Sequence, residues 1–315
     1  MTDPSRQQSP LRVASLIASA TEILHAMGAG PLQVARSHEC DWPEGVLALP
    51  ALTEAKFEVA GTSREIDERV KALASDGLSV YRVDADGLRT AAPDVILTQD
   101  QCEVCAVSLG DVERAVCDWT DRPAHIVSLR PHTMGDVYAD ILRIGTALGL
   151  TGDASALVNR MQERLAELTA RVAGRPRTRI AFIEWIDPPM SGGHWMPELI
   201  AVAGGLDLLG KSGVNSPWIA WEDVAAADPD VIVVAPCGFD LLRTEAEMAM
   251  LAGNPIWRGL RAVRDGSVYA ADGNAFFNRP GPRLVETAEI IAEILHGDVT
   301  DFGHRGHAYR AYGSV

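Results

Sequence analysis

Apolar residues fall in two rhythms along the chain. Short apolar runs bounded by Gly, Pro, Ser or Asp alternate with stretches whose apolar positions recur every three or four residues. The first rhythm predicts strands at Arg12–Ile17, Ser79–Val83, Val95–Thr98, Ile126–Leu129, Arg179–Glu184, Val231–Val234 and Ser267–Ala270. The second predicts helices near Glu65–Ser75, Asp86–Ala92, Leu109–Cys117, Met196–Ala203, Glu222–Ala227 and Arg283–His296. Ser19 with Glu22, and Thr62 with Glu65, have capping-box spacing: a hydroxyl for an orphan amide and a carboxylate reaching back. Helices are expected to start at both places.

The middle of the chain breaks the alternation. Val137, Ile141, Ile144 and Leu148 form one helical stripe, and Leu157, Met161, Leu165, Leu168 and Val172 form a second. The second helix, near Asp153–Val172, spans about 30 Å, enough to bridge two lobes. Pro93-Asp94-Val95-Ile96 recurs as Pro229-Asp230-Val231-Ile232, each copy opening a buried strand. The expected fold class is therefore α/β, with two Rossmann-like lobes, parallel-type sheets and a long linker helix. The expected boundaries are 12–130 for the first lobe, 131–177 for the helical linker, 178–297 for the second lobe and 298–315 for a tail that is mobile at its end.

Composition narrows the function. The chain has 315 residues and a net charge of −15, which repels phosphate backbones and disfavours nucleic-acid binding. No apolar run is long enough to cross a membrane. Residues 1–12 are polar and carry no apolar segment of a secretory signal, and the five cysteines form no regular framework. Both features predict a cytoplasmic protein; a periplasmic one is expected if a signal has been trimmed. Phosphate-loop, nucleophile-elbow, zinc-helix and dinucleotide fingerprints are missing from the sequence.

Three segments concentrate chemistry. Gln99, Gln101, Cys102 and Cys105 follow the buried strand at Val95, where parallel sheets place ligands. His38, Glu39, Cys40 and Trp42 crowd a second loop. His38, Cys40, Cys102 and Cys105 offer a soft-metal set, although the cysteines equally suit core positions. Trp185, Trp195, Trp218, Trp221, Phe276 and Phe277 fall in or beside second-lobe loops and suit a large flat ligand, Trp257 being the core member. His194, Asn274 and Arg279 lie in the same loops, and Arg279 suits an anionic group. His304 and His307 have metal-compatible spacing in the tail.

Ser15–Glu22, Ser37 with Cys40-Asp41-Trp42-Pro43, Pro93–Leu97, Asp187–Gly192, Gly204-Gly205 and Phe276–Arg279 with Pro282-Arg283 resemble, in order and spacing, the class III substrate-binding proteins of ABC importers, in their cobalamin-binding branch. The resemblance implies two lobes that clamp cobalamin or another metal chelate without transforming it. The ligand walls would then be His38, Glu39, Cys40, Trp42, Gln99, Gln101 and Cys102 on one lobe. On the other they would be Trp185, His194, Trp195, Asn274, Phe276, Phe277 and Arg279. An ABC permease would be the partner of an exported form. The residues leave a metal- or redox-dependent enzyme on the same fold open as the alternative.

Overall fold

The computed structural model of the chain describes residues 10–75, 80–100, 109–116 and 123–313. They form two compact units. The first takes residues from 1–57, 73–130 and 140–157, and the second from 58–72, 131–139 and 158–315.

In the first unit, β1 (Val13–Ser15), β2 (Gln33–Arg36), β5 (Val95–Gln99) and β6 (His125–Leu129) make a parallel sheet in the order β2-β1-β5-β6. A two-stranded antiparallel sheet pairs β3 (Thr53–Ala55) with β4 (Tyr81–Val83). Every residue of β1 and β5 is buried, which is why both open with a continuous apolar run rather than an alternating one, before the buried polar Ser15, Thr98 and Gln99 at their ends.

In the second unit, β7 (Thr178–Trp185) lies between β10 (Val231–Val234) and β9 (Gly205–Asp207), parallel to both, and β11 (Val268–Ala271) extends the sheet beyond β10. Two antiparallel strands complete it: β8 (Met190–Ser191) on β7 and β12 (Tyr309–Ala311) on β11. The C-terminal segment, read from the sequence as a tail, thus supplies an edge strand. Its three residues are too few to show a period. The helix Thr151–Val172 has all five predicted stripe residues buried.

The Pro-Asp-Val-Ile echo is a structural repeat. Each copy follows a helix that ends on a left-handed residue, Ala92 at φ 42° or Asp228 at φ 43°. The next Asp then grips the start of its unit's first strand. Asp94 accepts from the Arg12 amide at 2.9 Å, and Asp230 accepts from the Arg179 amide at 3.0 Å. Each arginine side chain donates back to the preceding helix, Arg12 to the Ala91 carbonyl and Arg179 to the Ala227 carbonyl.

One predicted cap forms and one does not. Thr62 and Glu65 close the full box: the Thr62 amide donates to Glu65 Oε2 at 2.8 Å, and the Glu65 amide donates to Thr62 Oγ1 at 3.3 Å. The first helix instead starts at Ala18, with Ile17 before it and no side-chain cap. Ser19 lies inside that helix, buried, and its hydroxyl meets no hydrogen-bond partner among the described residues.

Candidate functional site

In both sheets the first strand lies between neighbours on either side, so the chain winds outward in two directions from β1 and from β7. Ligand sites of open parallel sheets lie beyond the carboxyl ends of strands at such switch points. These ends carry most of the residues nominated from sequence.

Beyond β2, the loop Ser37–Cys40 folds back on β3. His38 Nδ1 lies 2.7 Å from Thr53 Oγ1, and the Ser37 hydroxyl lies 2.9 Å from the same oxygen. The His38 ring packs on Tyr81 with centroids 5.5 Å apart, and the Tyr81 hydroxyl donates to Glu39 at 3.2 Å. Burial, and then the nearby Arg36 guanidinium, hold the His38 imidazole below its ordinary pKa. Arg36 pins the loop by donating to the carbonyls of Ser37 at 3.0 Å and Leu49 at 3.2 Å. Gln99 is buried at the end of β5, whereas Trp42 is exposed.

Cys40 corrects the sequence expectation. Its side chain is fully buried with Ala18 and Val46, and its sulfur takes the Thr21 hydroxyl at 3.1 Å. It is a core residue, because the loop sets its side chain against Ala18, Val46 and the Thr21 hydroxyl rather than in solvent. Gln101, Cys102 and Cys105 lie outside the described residues. Among the described residues, no group of three or more His, Cys, Asp or Glu is placed to hold a metal ion.

Beyond β7 the second unit places a different set. Glu184 takes the Ser216 hydroxyl at 2.9 Å and a backbone hydrogen bond from Gly193. Burial outweighs both bonds and pushes its carboxyl up to about 7. Gly193 is required there: a Cβ would lie 2.5 Å from the Ser216 nitrogen and 2.6 Å from the Val214 oxygen. His194 follows in the left-handed region, at φ 50°, with its ring stacked on Trp195 at 5.6 Å. Its Nδ1 lies 3.3 Å from His132 Nδ1.

The remaining nominated residues divide between packing and surface. Trp185 is buried against Phe239, and Trp195 is buried with its indole donating to the Phe277 carbonyl at 3.3 Å. Phe277 is fully buried and stacks on Phe182 at 5.5 Å. Trp221 and Trp257 meet edge-to-face in the core, as expected of Trp257 alone. Asn274 and Phe276 are half-buried. Arg279 is buried and donates to Asn274 at 2.9 Å, so it positions that loop. His304 pairs with Glu289 at 3.1 Å, and Phe276 touches the rings of His304 and His307. A surface pocket of about 420 Å³ opens elsewhere on this unit, between Arg64, Asp187 and Glu222. Of the nominated aromatics, Trp221 alone lines it.

Sequence reasoning missed Thr53, Tyr81, His132, Glu184 and Ser216. Two of them carried a usable signal, since His132 and Glu184 lie just beyond or at the end of predicted strands.

Compared with known proteins, residues 13–275 match the periplasmic binding protein family. The chain belongs to that family. Among relatives, a vitamin B12-binding protein of Vibrio cholerae is 23% identical over 291 residues, covering 90% of this chain and 88% of its own. An uncharacterized ABC transporter substrate-binding lipoprotein of Bacillus subtilis is 23% identical, covering 94% and 83%. A periplasmic haem-binding protein from Pseudomonas aeruginosa superposes with TM-score 0.70 at 18% identity, covering 93% of this chain and 95% of that one. The fold class read from the sequence, α/β with parallel sheets and a long helix, is that of these periplasmic binding proteins. Among the described residues no helix is long and apolar enough to cross a membrane.

Proposed function

We propose that this periplasmic binding protein captures a metal-bearing tetrapyrrole, a corrinoid or a haem, and delivers it to an ABC-type permease without altering it. The observation that carries the reading is the breadth of the likeness: relatives named for vitamin B12 binding, and a haem-binding fold relative, each match about nine-tenths of the chain. The residue chemistry supports it. His38, Glu39 and Trp42 beyond the first unit's strands offer polar groups and one exposed indole, backed by the buried Gln99. His194, Asn274 and Phe276 on the second offer an imidazole, an amide and a ring, backed by the buried Trp185, Trp195, Phe277 and Arg279.

The test is a visible-absorption titration of the purified protein with aquocobalamin, cyanocobalamin and haemin in parallel. A saturable band shift with one of them, weakened at least about tenfold in Phe276→Ala, is the expected result. No shift with any of the three overturns the proposal.

A further inference from the structure

His132 and His194 are 62 positions apart in the chain and meet within the second unit. Neither belongs to the cysteine-based metal set suggested by the sequence. Their Nδ1 atoms stand 3.3 Å apart, with the rings tilted by 36°. Without an ion, that separation is a ring-to-ring hydrogen bond in which one neutral imidazole donates and the other accepts. It equals the bite of two imidazoles on one tetrahedral ion: metal–nitrogen bonds of about 2.05 Å at the tetrahedral angle put the two nitrogens about 3.3–3.4 Å apart.

The backbone holds this bite from both sides. Asp136 takes the amides of His132 at 3.0 Å and Thr133 at 2.9 Å, fixing the turn that carries His132. The His194 amide donates to the Val214 carbonyl at 2.7 Å, and the Gly213 amide donates to the His194 carbonyl at 3.0 Å. Glu198 then ties the two segments together, accepting from the Met134 amide at 3.2 Å and from the Ser212 hydroxyl. A left-handed φ at a residue other than glycine is costly and persists only where its surroundings over-determine it; His194 has such surroundings. Burial, and then the neighbouring His132, favour the neutral His194 imidazole, the form that donates a lone pair to a metal. Both side chains are half-buried.

We infer that His132 and His194 form a bidentate site for a borderline divalent cation such as Zn²⁺, with the remaining coordination positions left to water or to an added ligand. Imidazole suits zinc, copper and nickel, and it disfavours Mg²⁺ and Ca²⁺, which demand oxygen ligands. With two protein ligands the affinity is expected in the micromolar range, well short of a closed structural site.

The experiment uses the full chain stripped with a chelator, then titrated with Zn²⁺ alone against a chromophoric indicator and, separately, with Co²⁺ followed by its visible ligand-field bands. One equivalent is expected to bind with tetrahedral Co²⁺ absorption and to raise the melting temperature. His132→Gln and His194→Asn are each expected to weaken binding at least about tenfold and to abolish the thermal shift. Asn is chosen because it tolerates the left-handed backbone, which keeps the fold intact; far-ultraviolet circular dichroism checks this. Wild-type protein that binds no Zn²⁺, or binding that survives in both folded variants, overturns the inference; in the second case the metal sits on other residues.

Discussion

The two units share one frame and differ at its edge. Each has a sheet with a parallel centre whose first strand is gripped by the aspartate of a Pro-Asp-Val-Ile segment, with an arginine returning to the preceding helix. Beyond the strands the chemistry diverges. The first unit's edge closes on itself: Ser37, His38 and Thr53 share one hydroxyl, and Arg36 wraps the loop. The second unit's edge holds a carboxyl pushed up to about 7, a histidine in a left-handed turn and a layer of buried aromatics. A repeated scaffold thus fixes where the loops stand and leaves their content free, which is how one fold carries different sites.

The aromatic layer is the first place to break that contrast. Phe277→Ala removes a fully buried ring that stacks on Phe182, beside the carbonyl that holds the Trp195 indole. It is expected to cost about 3–5 kcal/mol in chemical denaturation. A loss under about 1 kcal/mol would show that the second edge is as loosely tied as an ordinary surface loop.

Next in size is the pH dependence that Glu184 imposes. Its folded carboxyl titrates near 7 and its unfolded one near the ordinary value of 4.5. Between those values the folded state holds the extra proton, so stability falls as pH rises and levels off above about 7. The loss amounts to roughly 3 kcal/mol over the window. Glu184→Gln keeps an acceptor for Ser216 and is expected to flatten that slope; denaturation midpoints at pH 5 and pH 8 measure it. An unchanged slope would assign the pH dependence to other groups.

The shared frame is tested by its two clamps. Asp94→Ala and Asp230→Ala each remove the acceptor of an exposed strand-start amide and are expected to cost about 0.5–1.5 kcal/mol. Melting curves in which one substitution is costly and the other silent would show that the two copies are alike in geometry but not in energetics.

What the sequence disclosed follows from the range of each interaction. Buried strands were legible because burial on both faces writes an apolar run, and the repeated Pro-Asp announced itself in four letters. The strands β2, β3, β8, β9 and β12 were not, since their two to four residues include polar or small ones and show neither an apolar run nor a period. Cys40 misled because a thiol has the same letter in a core as in a metal site, and only its burial decides. His132 stayed unseen because its meaning depends on His194, far along the chain. Cys102 and Cys105, half of the metal set read from the sequence, and the ligand candidate Gln101 lie outside the described residues.

The smallest effect separates the two helix starts that share a capping-box spacing. At Thr62 the box is local: hydroxyl and carboxylate answer two orphan amides within four residues. At Ser19 the same letters sit inside the helix, because burying Leu16 and Ile17 fixes where the first turn begins. Tertiary packing there overrides the local signal. Thr62→Ala is therefore expected to cost about 1 kcal/mol. The Glu65 carboxyl is held below its ordinary pKa, first by the Thr62 amide, so the cap's contribution is lost as pH falls through that lowered value. Ser19→Ala removes a buried hydroxyl with no partner among the described residues and is expected to be neutral or to stabilise by up to about 1 kcal/mol. Paired melting curves at pH 7 measure both, and equal losses at the two positions would mean that Ser19 caps its helix after all.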